Sequence, residues 1–262
     1  MDKIWRNTYG SGYRRMPRPV VVRAFDYQDG YREIWHSHEQ AQLVYATSGV
    51  VRILTPAGSW LLPPSRAMWI VPGVDHELHA VGAVALRSVY FEPDAVSWLS
   101  ADCSMIEVSG LLHELIVGML ADPLEYAPDS RAALIAPLLL RALQDAPAAH
   151  GGLLPLPTDA RLRQICEKLM HDPGNNNTLE VWGEQFGLST RTLARHFRDE
   201  TGLSFGQWRQ QMRVSEAVYR LILKEPLARV AETLGYASQS AFITMFRKSM
   251  GTTPQRYLTS LG

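Results

Sequence analysis

Two stretches near the C-terminus, Gly187-Leu-Ser-Thr-Arg-Thr-Leu-Ala-Arg-His-Phe197-Arg-Asp-Glu-Thr-Gly202 and Gly235-Tyr-Ala-Ser-Gln-Ser-Ala-Phe-Ile-Thr-Met-Phe246-Arg-Lys-Ser-Met-Gly251, follow one plan. Each opens on a turn glycine and passes a serine able to cap a helix. Each then sets two apolar residues four apart, follows them with arginine, and closes on glycine. The apolar pairs are Leu193 with Phe197 and Phe242 with Phe246, and the two later phenylalanines stand 49 positions apart. This pattern describes a helix, a tight turn and a second helix whose other face stays outward, which is how a chain presents a helix to a DNA major groove. Its repetition at a fixed separation predicts two grooves read by one chain.

The outward faces carry the chemistry. With Leu193 and Phe197 inward, Arg191, Ala194, Arg195 and Arg198 fall on the opposite side of the first helix. An exposed arginine can grip guanine O6 and N7 with two hydrogen bonds, worth about 1–3 kcal/mol of discrimination. With Phe242 and Phe246 inward, the second helix offers Gln239, Ser240, Ile243, Thr244 and Arg247. Glutamine pairs best with adenine, and isoleucine suits a thymine methyl. Ser189 with Thr190, and Ser238, sit where helix N-termini attract phosphate. Between the units, Ser204 to Leu223 holds no proline and predicts a helix of about 20 residues, near 30 Å long. That is comparable to the roughly 34 Å between successive major grooves on one face of B-DNA.

At 262 residues the chain is long enough for two domains with separate cores. The net charge of zero hides an asymmetry: residues 1–157 hold 12 Lys/Arg against 16 Asp/Glu, residues 158–262 hold 14 against 10. Positive charge therefore sits with the repeated motif, where phosphate would be met. Cys103 and Cys166 lie far apart with no CxxC pair, which leaves a disulfide framework or a finger-type zinc site unsupported. The first twenty residues lack the apolar core of a signal peptide, and no run of about 18 apolar residues occurs. A cytoplasmic protein with no membrane partner is expected.

From Val20 to Tyr90, short apolar runs broken by glycine and proline predict strands near 20–24, 42–46, 49–54, 59–62, 67–71 and 84–91. Their spacing suits an all-β barrel or sandwich. After Pro93 the period becomes helical, with Leu111, Leu112, Leu115, Ile116 and Met119 on one face. Leu134, Ile135, Leu138 and Leu139 form another, and Pro137 is expected to weaken or kink that helix. The expected organisation is a β-barrel with following helices over 1–147, a Pro/Gly-rich linker over 148–157, and an all-α domain over 158–262.

The N-terminal half has its own constellation, Gly30-x5-His36-Ser-His38-x3-Gln42-x6-Gly49, with His76 after Pro72-Gly73. Histidines at i and i+2 of a strand project to one side, so both can reach one point inside a barrel. Three readings stay open: a metal site of His36, His38, Gln42 and His76; a pocket for a small organic effector, using the same groups beside Tyr45, Trp60 and Trp69; and histidines at a barrel rim with no ligand. Imidazoles suit zinc, nickel, copper or iron, while a neutral amide adds no charge. The residues fix no cofactor beyond that open divalent transition metal.

Leu179, Gly187-Leu-Ser, Leu193-Ala-Arg-His-Phe, Gly202-Leu-Ser-Phe-Gly-Gln-Trp, Leu234-Gly-Tyr-Ala-Ser-Gln-Ser-Ala-Phe and Gly251-Thr-Thr-Pro-Gln-Arg-Tyr together resemble the AraC/XylS DNA-binding domain over about a hundred residues. The resemblance implies a seven-helix domain with two helix-turn-helix units joined by a long helix. It implies base contacts at Arg191, Ala194 and Arg195 in the first unit, and at Gln239, Ser240, Ile243 and Thr244 in the second. The His36–Gly49 spacing resembles the cupin metal motif, in which the position of Gln42 is generally a carboxylate. The chain thus reads as a ligand-responsive transcription regulator with no catalytic residues. Its expected partners are double-stranded DNA, a small-molecule or metal effector, a second copy through the apolar helices after the barrel, and RNA polymerase should it activate. The alternative is a metal-dependent cupin enzyme of dioxygenase or isomerase type with an accessory DNA-binding domain.

Overall fold

The computed structural model describes residues 16–64, 66–100, 102–149 and 152–259. These residues divide into two compact units, one of 16–55 with 62–149 and one of 56–61 with 152–259. The elements in chain order are β1 (Val20–Tyr27), β2 (Arg32–His36), β3 (Ala41–Thr55), β4 (Gly58–Leu62), β5 (Arg66–Ile70), β6 (His76–Phe91), β7 (Ser104–Glu107), α1 (Gly110–Met119) and α2 (Arg131–Gln144). There follow β8 (Leu153–Pro155), α3 (Ala160–His171), α4 (Leu179–Phe186), α5 (Thr190–Thr201), α6 (Phe205–Ile222), α7 (Leu227–Thr233), α8 (Gln239–Met250) and α9 (Pro254–Thr259).

The first unit is the β-rich, cupin-like domain expected, built on two long antiparallel strands. β6 pairs with β3 along nearly its whole length, and also with β1 over 84–91 and with β2 near its start. On β3 the bonding continues to β5, and from β5 to β7. The expected strands at 42–46 and 49–54 are therefore one strand, carried through two register shifts between Ala46 and Val50. Such bulges insert a residue and bend the strand without ending it. They also change which parity faces inward, so that Gln42 and Val44 share a cavity with Ile53. The first half of β6, β7 and β8 were not anticipated, and β2 was anticipated only as the strand that carries His36.

α1 and α2 cover the face of the sheet that carries Leu43, Tyr45 and Trp69, forming one apolar core with Leu112, Ile116, Leu139 and Leu143. Ser109 and Ser130 cap the two helices through side-chain oxygens. α2 continues past Pro137, seven residues into its length, losing one ladder bond rather than ending there. Its inward face is mostly small, with Ala132, Ala136 and Leu139 buried, while Leu134 is 74 % exposed and Leu138 48 %. On α1, Leu111 is likewise outside at 56 %, apart from Leu112, Leu115, Ile116 and Met119, which share the buried face with which it was grouped.

In the second unit Leu153–Pro155, inside the expected linker, pair with Gly58–Trp60, and the Leu156 N–H donates to the Ala57 carbonyl. Leu154 belongs to the core of this unit, with Leu162, Ile165, Trp182, Leu193, Phe197 and Trp208. The Trp208 indole N–H donates to the Pro155 carbonyl at 2.6 Å, anchoring that strand on α6. Seven helices follow among the described residues; apolar periodicity and caps predict them at about 161–171, 178–186, 190–200, 204–223, 226–234, 239–249 and 254–260, each within a residue or two of the helix found. Among the described residues no helix is long and apolar enough to cross a membrane.

Candidate functional site

The two repeated stretches fold on one scaffold. Ser189 caps α5 by accepting from the Thr192 N–H at 3.1 Å, and Ser238 caps α8 by accepting from the Ala241 N–H at 3.1 Å. Leu193, Phe197, Phe242 and Phe246 are each fully buried. Both helices end on a glycine in the left-handed region, Gly202 and Gly251. The turn before α5 is tight because a Cβ on Gly183 would come within 2.5 Å of the Leu188 carbonyl oxygen. Before α8, Gly235 has φ +74° and a Cβ there would come within 2.5 Å of the Gly174 carbonyl oxygen.

α6 ties the units together. Its 18 residues span about 27 Å at 1.5 Å each, slightly shorter than predicted. Ser204 and Gln207 form a capping box at its start. Arg213, nearly buried, donates to the carbonyls of Pro173 and Asn175 and to Asn176 Oδ1 at 2.8–3.0 Å. Arg209 adds a bond to the Asn177 carbonyl. These two arginines therefore hold the loop before α4 against the middle of α6, and Gly174 in that loop touches the Gly235 turn. Sequence reasoning placed no role on them. An arginine two turns inside an otherwise apolar face was the available signal.

On the outward faces Ser189, Arg191, Arg195 and Arg198 are exposed, as are Ser238, Gln239, Ser240, Thr244 and Arg247; Thr190, Ala194 and Ile243 are half-buried. Ion pairing separates structural arginines from these. Arg161 is paired with Asp159, Arg163 with Glu167, and Arg220 with Glu216 and Glu225. Among the described residues, Arg191, Arg195, Arg198 and Arg247 have no carboxylate within ion-pair distance. The Thr244 hydroxyl donates back to the Ser240 carbonyl at 2.9 Å, which occupies its proton within the helix.

In the first unit, His36, His38 and His76 each bring one ring nitrogen within 4.8 Å of the other two. β2 ends at His36, so His38 lies just past the strand, and a register shift lets His36 pair with His76 across the ladder. Convergence thus comes from the strand end and the start of β6 rather than from i, i+2 alternation alone. Each Nδ1 faces a backbone carbonyl: Ile34 for His36, Gln40 for His38 and Val74 for His76, at 2.8, 2.8 and 2.9 Å. Burial penalises the imidazolium, lowering the His38 pKa and holding His76 at about 4. Gln42, also buried, places Oε1 3.0 Å from His38 Nε2, and its Nε2 lies 3.1 Å from Ser88 Oγ and 3.3 Å from Tyr90 Oη.

His36, Gln42 and His76, with Ser88 and Tyr90, line a narrow cavity with room for about one water-sized group, whose other walls are Phe25, Tyr27, Glu33, Val44, Ile53, Leu78 and Leu86; His38 adjoins it through Gln42 and His76. Tyr45, Trp60 and Trp69 do not line it. Tyr45 is three residues from Gln42 and so points to the opposite face of β3. There its hydroxyl meets His113 Nδ1 of α1 at 2.8 Å, and burial raises its pKa. Trp69 sits in the same core, with its indole N–H on the Ser100 carbonyl. Trp60 pairs with Leu153. Sequence reasoning missed Ser88 and Tyr90, although their even parity with Leu86 along β6 placed them on the cavity side.

A family model described as an AraC-like ligand binding domain matches residues 18–166, and one described as a helix-turn-helix domain matches 182–260. The chain is 33 % identical over 226 residues to the HTH-type transcriptional regulator NimR of Escherichia coli K12, covering 86 % of this chain and 82 % of NimR. It is 30 % identical over 128 residues to the arabinose operon regulatory protein of the same organism, covering 47 % and 42 %. A structure of ToxT from Vibrio cholerae superposes with a TM-score of 0.40 at 12 % identity, covering 93 % of this chain and 99 % of that one.

Proposed function

The chain belongs to the AraC family of DNA-binding transcription regulators, and on that premise we propose that a small effector in the His/Gln cavity governs how two copies of its helix pair are set on DNA. It is a regulator with an N-terminal ligand-binding domain, not an enzyme. The observation that carries the proposal is the matched scaffold of α5 and α8, whose outward residues are mostly exposed and whose outward arginines have no acidic partner among the described residues.

In this reading the first unit dominates affinity. Arg191 and Arg195 reach guanine edges, and Arg198 and the Ser189–Thr190 helix start hold phosphate. Ala194 and Ile243 supply apolar contact, while Gln239, Ser240 and Thr244 read a second groove and Ser238 and Arg247 flank it. The effector, organic or metal, meets His36, His38, Gln42 and His76 in a cavity whose far wall is apolar. Leu111, Leu134 and Leu138 support assembly as a homodimer, since three large apolar side chains on α1 and α2 face outward. The protein works in the cytoplasm, with RNA polymerase as partner where it activates.

Footprinting with the full-length chain on the DNA flanking its own gene tests this. The expected result is two protected segments per copy, about one helical turn apart. Protection of one segment only, or none at any salt concentration that retains nonspecific binding, would refute it.

A further inference from the structure

We propose that His36, His38 and His76 form a three-imidazole centre for a divalent transition metal, with Gln42 as the group that registers its arrival. This names the effector class of the cavity and rests on the regulatory reading above. Three rings drawn from the end of β2, the loop after it and the start of β6 bring one nitrogen each within 4.8 Å. Ring centroids lie 4.3 Å apart for His36 and His76, and 5.2 Å for His38 and His76. A backbone carbonyl only accepts, so the carbonyls of Ile34, Gln40 and Val74 fix the proton of each neutral ring on Nδ1. The lone pair then lies on Nε2 in all three. Orientation of an imidazole through its second nitrogen is how metal-binding histidines are held.

Gln42 adds an independent observation. Its amide end stands 3.0 Å from His38 Nε2, and because the amide oxygen and nitrogen exchange by a half-turn, either can face that ring. With a cation bound, the oxygen faces the metal while the amide NH2 donates to Ser88 and Tyr90. Without a cation, the amide turns over: its NH2 donates to His38, and its oxygen accepts from the two hydroxyls. Either state satisfies the amide, and the two differ by a half-turn of one buried side chain on β3. The donor set also selects the ion. Calcium and magnesium require several oxygen ligands, whereas neutral imidazoles favour zinc, nickel, cobalt, copper(II) or iron(II).

The test uses the full-length chain, stripped with a chelator and titrated with Co2+ while visible absorption is recorded, then back-titrated with Zn2+. One equivalent should bind and Zn2+ should displace it. His36→Ala and His76→Gln should each weaken uptake by about tenfold or more. Gln42→Glu should tighten it, because a carboxylate supplies charge that the amide lacks; a merely structural Gln42 would not respond in that direction. Thermal melts establish that each variant is folded, and His36→Ala, at the less buried ring, serves if His76→Gln is not. No Co2+ absorption at tens of micromolar protein, or equal uptake by wild type and folded variants, overturns the centre. A gel shift on the DNA flanking the gene separates the two claims. Specific retention without metal uptake removes the centre and leaves the regulator. Uptake without retention keeps the centre and removes the regulatory reading.

Discussion

α5 and α8 are one design with two surfaces. Serine cap, buried i, i+4 apolar pair and left-handed glycine end recur at matching positions, yet α5 turns out three arginines with no acidic partner among the described residues where α8 turns out glutamine, serine, isoleucine, threonine and a single arginine. The shared residues are those that must be packed or must close a backbone hydrogen bond. The divergent ones are mostly exposed; only Ala194 and Ile243 among them are half-buried, and Thr244 bonds only its own helix. Scaffold and readout are therefore separable on these helices: a change inside should act alike on both units, and a change outside should not.

The largest effects should come from the shared interior. Phe197→Ala and Phe246→Ala should each destabilise by about 3–5 kcal/mol in denaturant titration, since both rings are fully buried. A difference of several kcal/mol between them would break the symmetry. Gly235→Ala comes next, at roughly 1–3 kcal/mol, because the residue is held at φ +74° and the added carbon meets the Gly174 carbonyl. Arg195→Ala should leave the melting temperature unchanged and cut specific DNA affinity by about 5- to 150-fold, the equivalent of about 1–3 kcal/mol. Thr244→Ala, whose hydroxyl is already spent on the Ser240 carbonyl, should weaken retention by less than about threefold. Gel-shift titration at fixed salt ranks the two, and the reverse order would refute dominance by the first unit. The smallest effect, about 1 kcal/mol of stability each, is expected for Ser189→Ala and Ser238→Ala in thermal melts. Unequal losses there would locate a functional role beyond capping.

The sensor and the reading domain were legible to different degrees. Helices announced themselves through caps, apolar periodicity and glycine ends, all local signals, so α3 to α9 fell where expected. The β unit depends on pairing between distant segments. β2 and the first half of β6 are recognisable only once they are paired, and β8 is a three-residue strand bounded by glycine and proline that only its partner Gly58–Trp60 defines. The same holds for the cavity. His36, His38, Gln42 and His76 stood out by type and spacing, but Tyr45, Trp60 and Trp69 were expected beside them on hydrophobic character alone. Strand alternation sends Tyr45 to the other face, toward His113.

The sequence by itself determined the paired reading helices, their caps and their outward arginines, because a helix is closed by hydrogen bonds within four residues and its faces follow from a period of 3.6. Only the tertiary structure decided that two bulges carry β3 past Ser48 as one strand and that Ser88 and Tyr90 bracket Gln42. It also decided that Arg209 and Arg213 fasten the loop before α4 to α6. Each of these depends on a partner at least 30 positions away, and side-chain chemistry along a chain does not record who that partner will be.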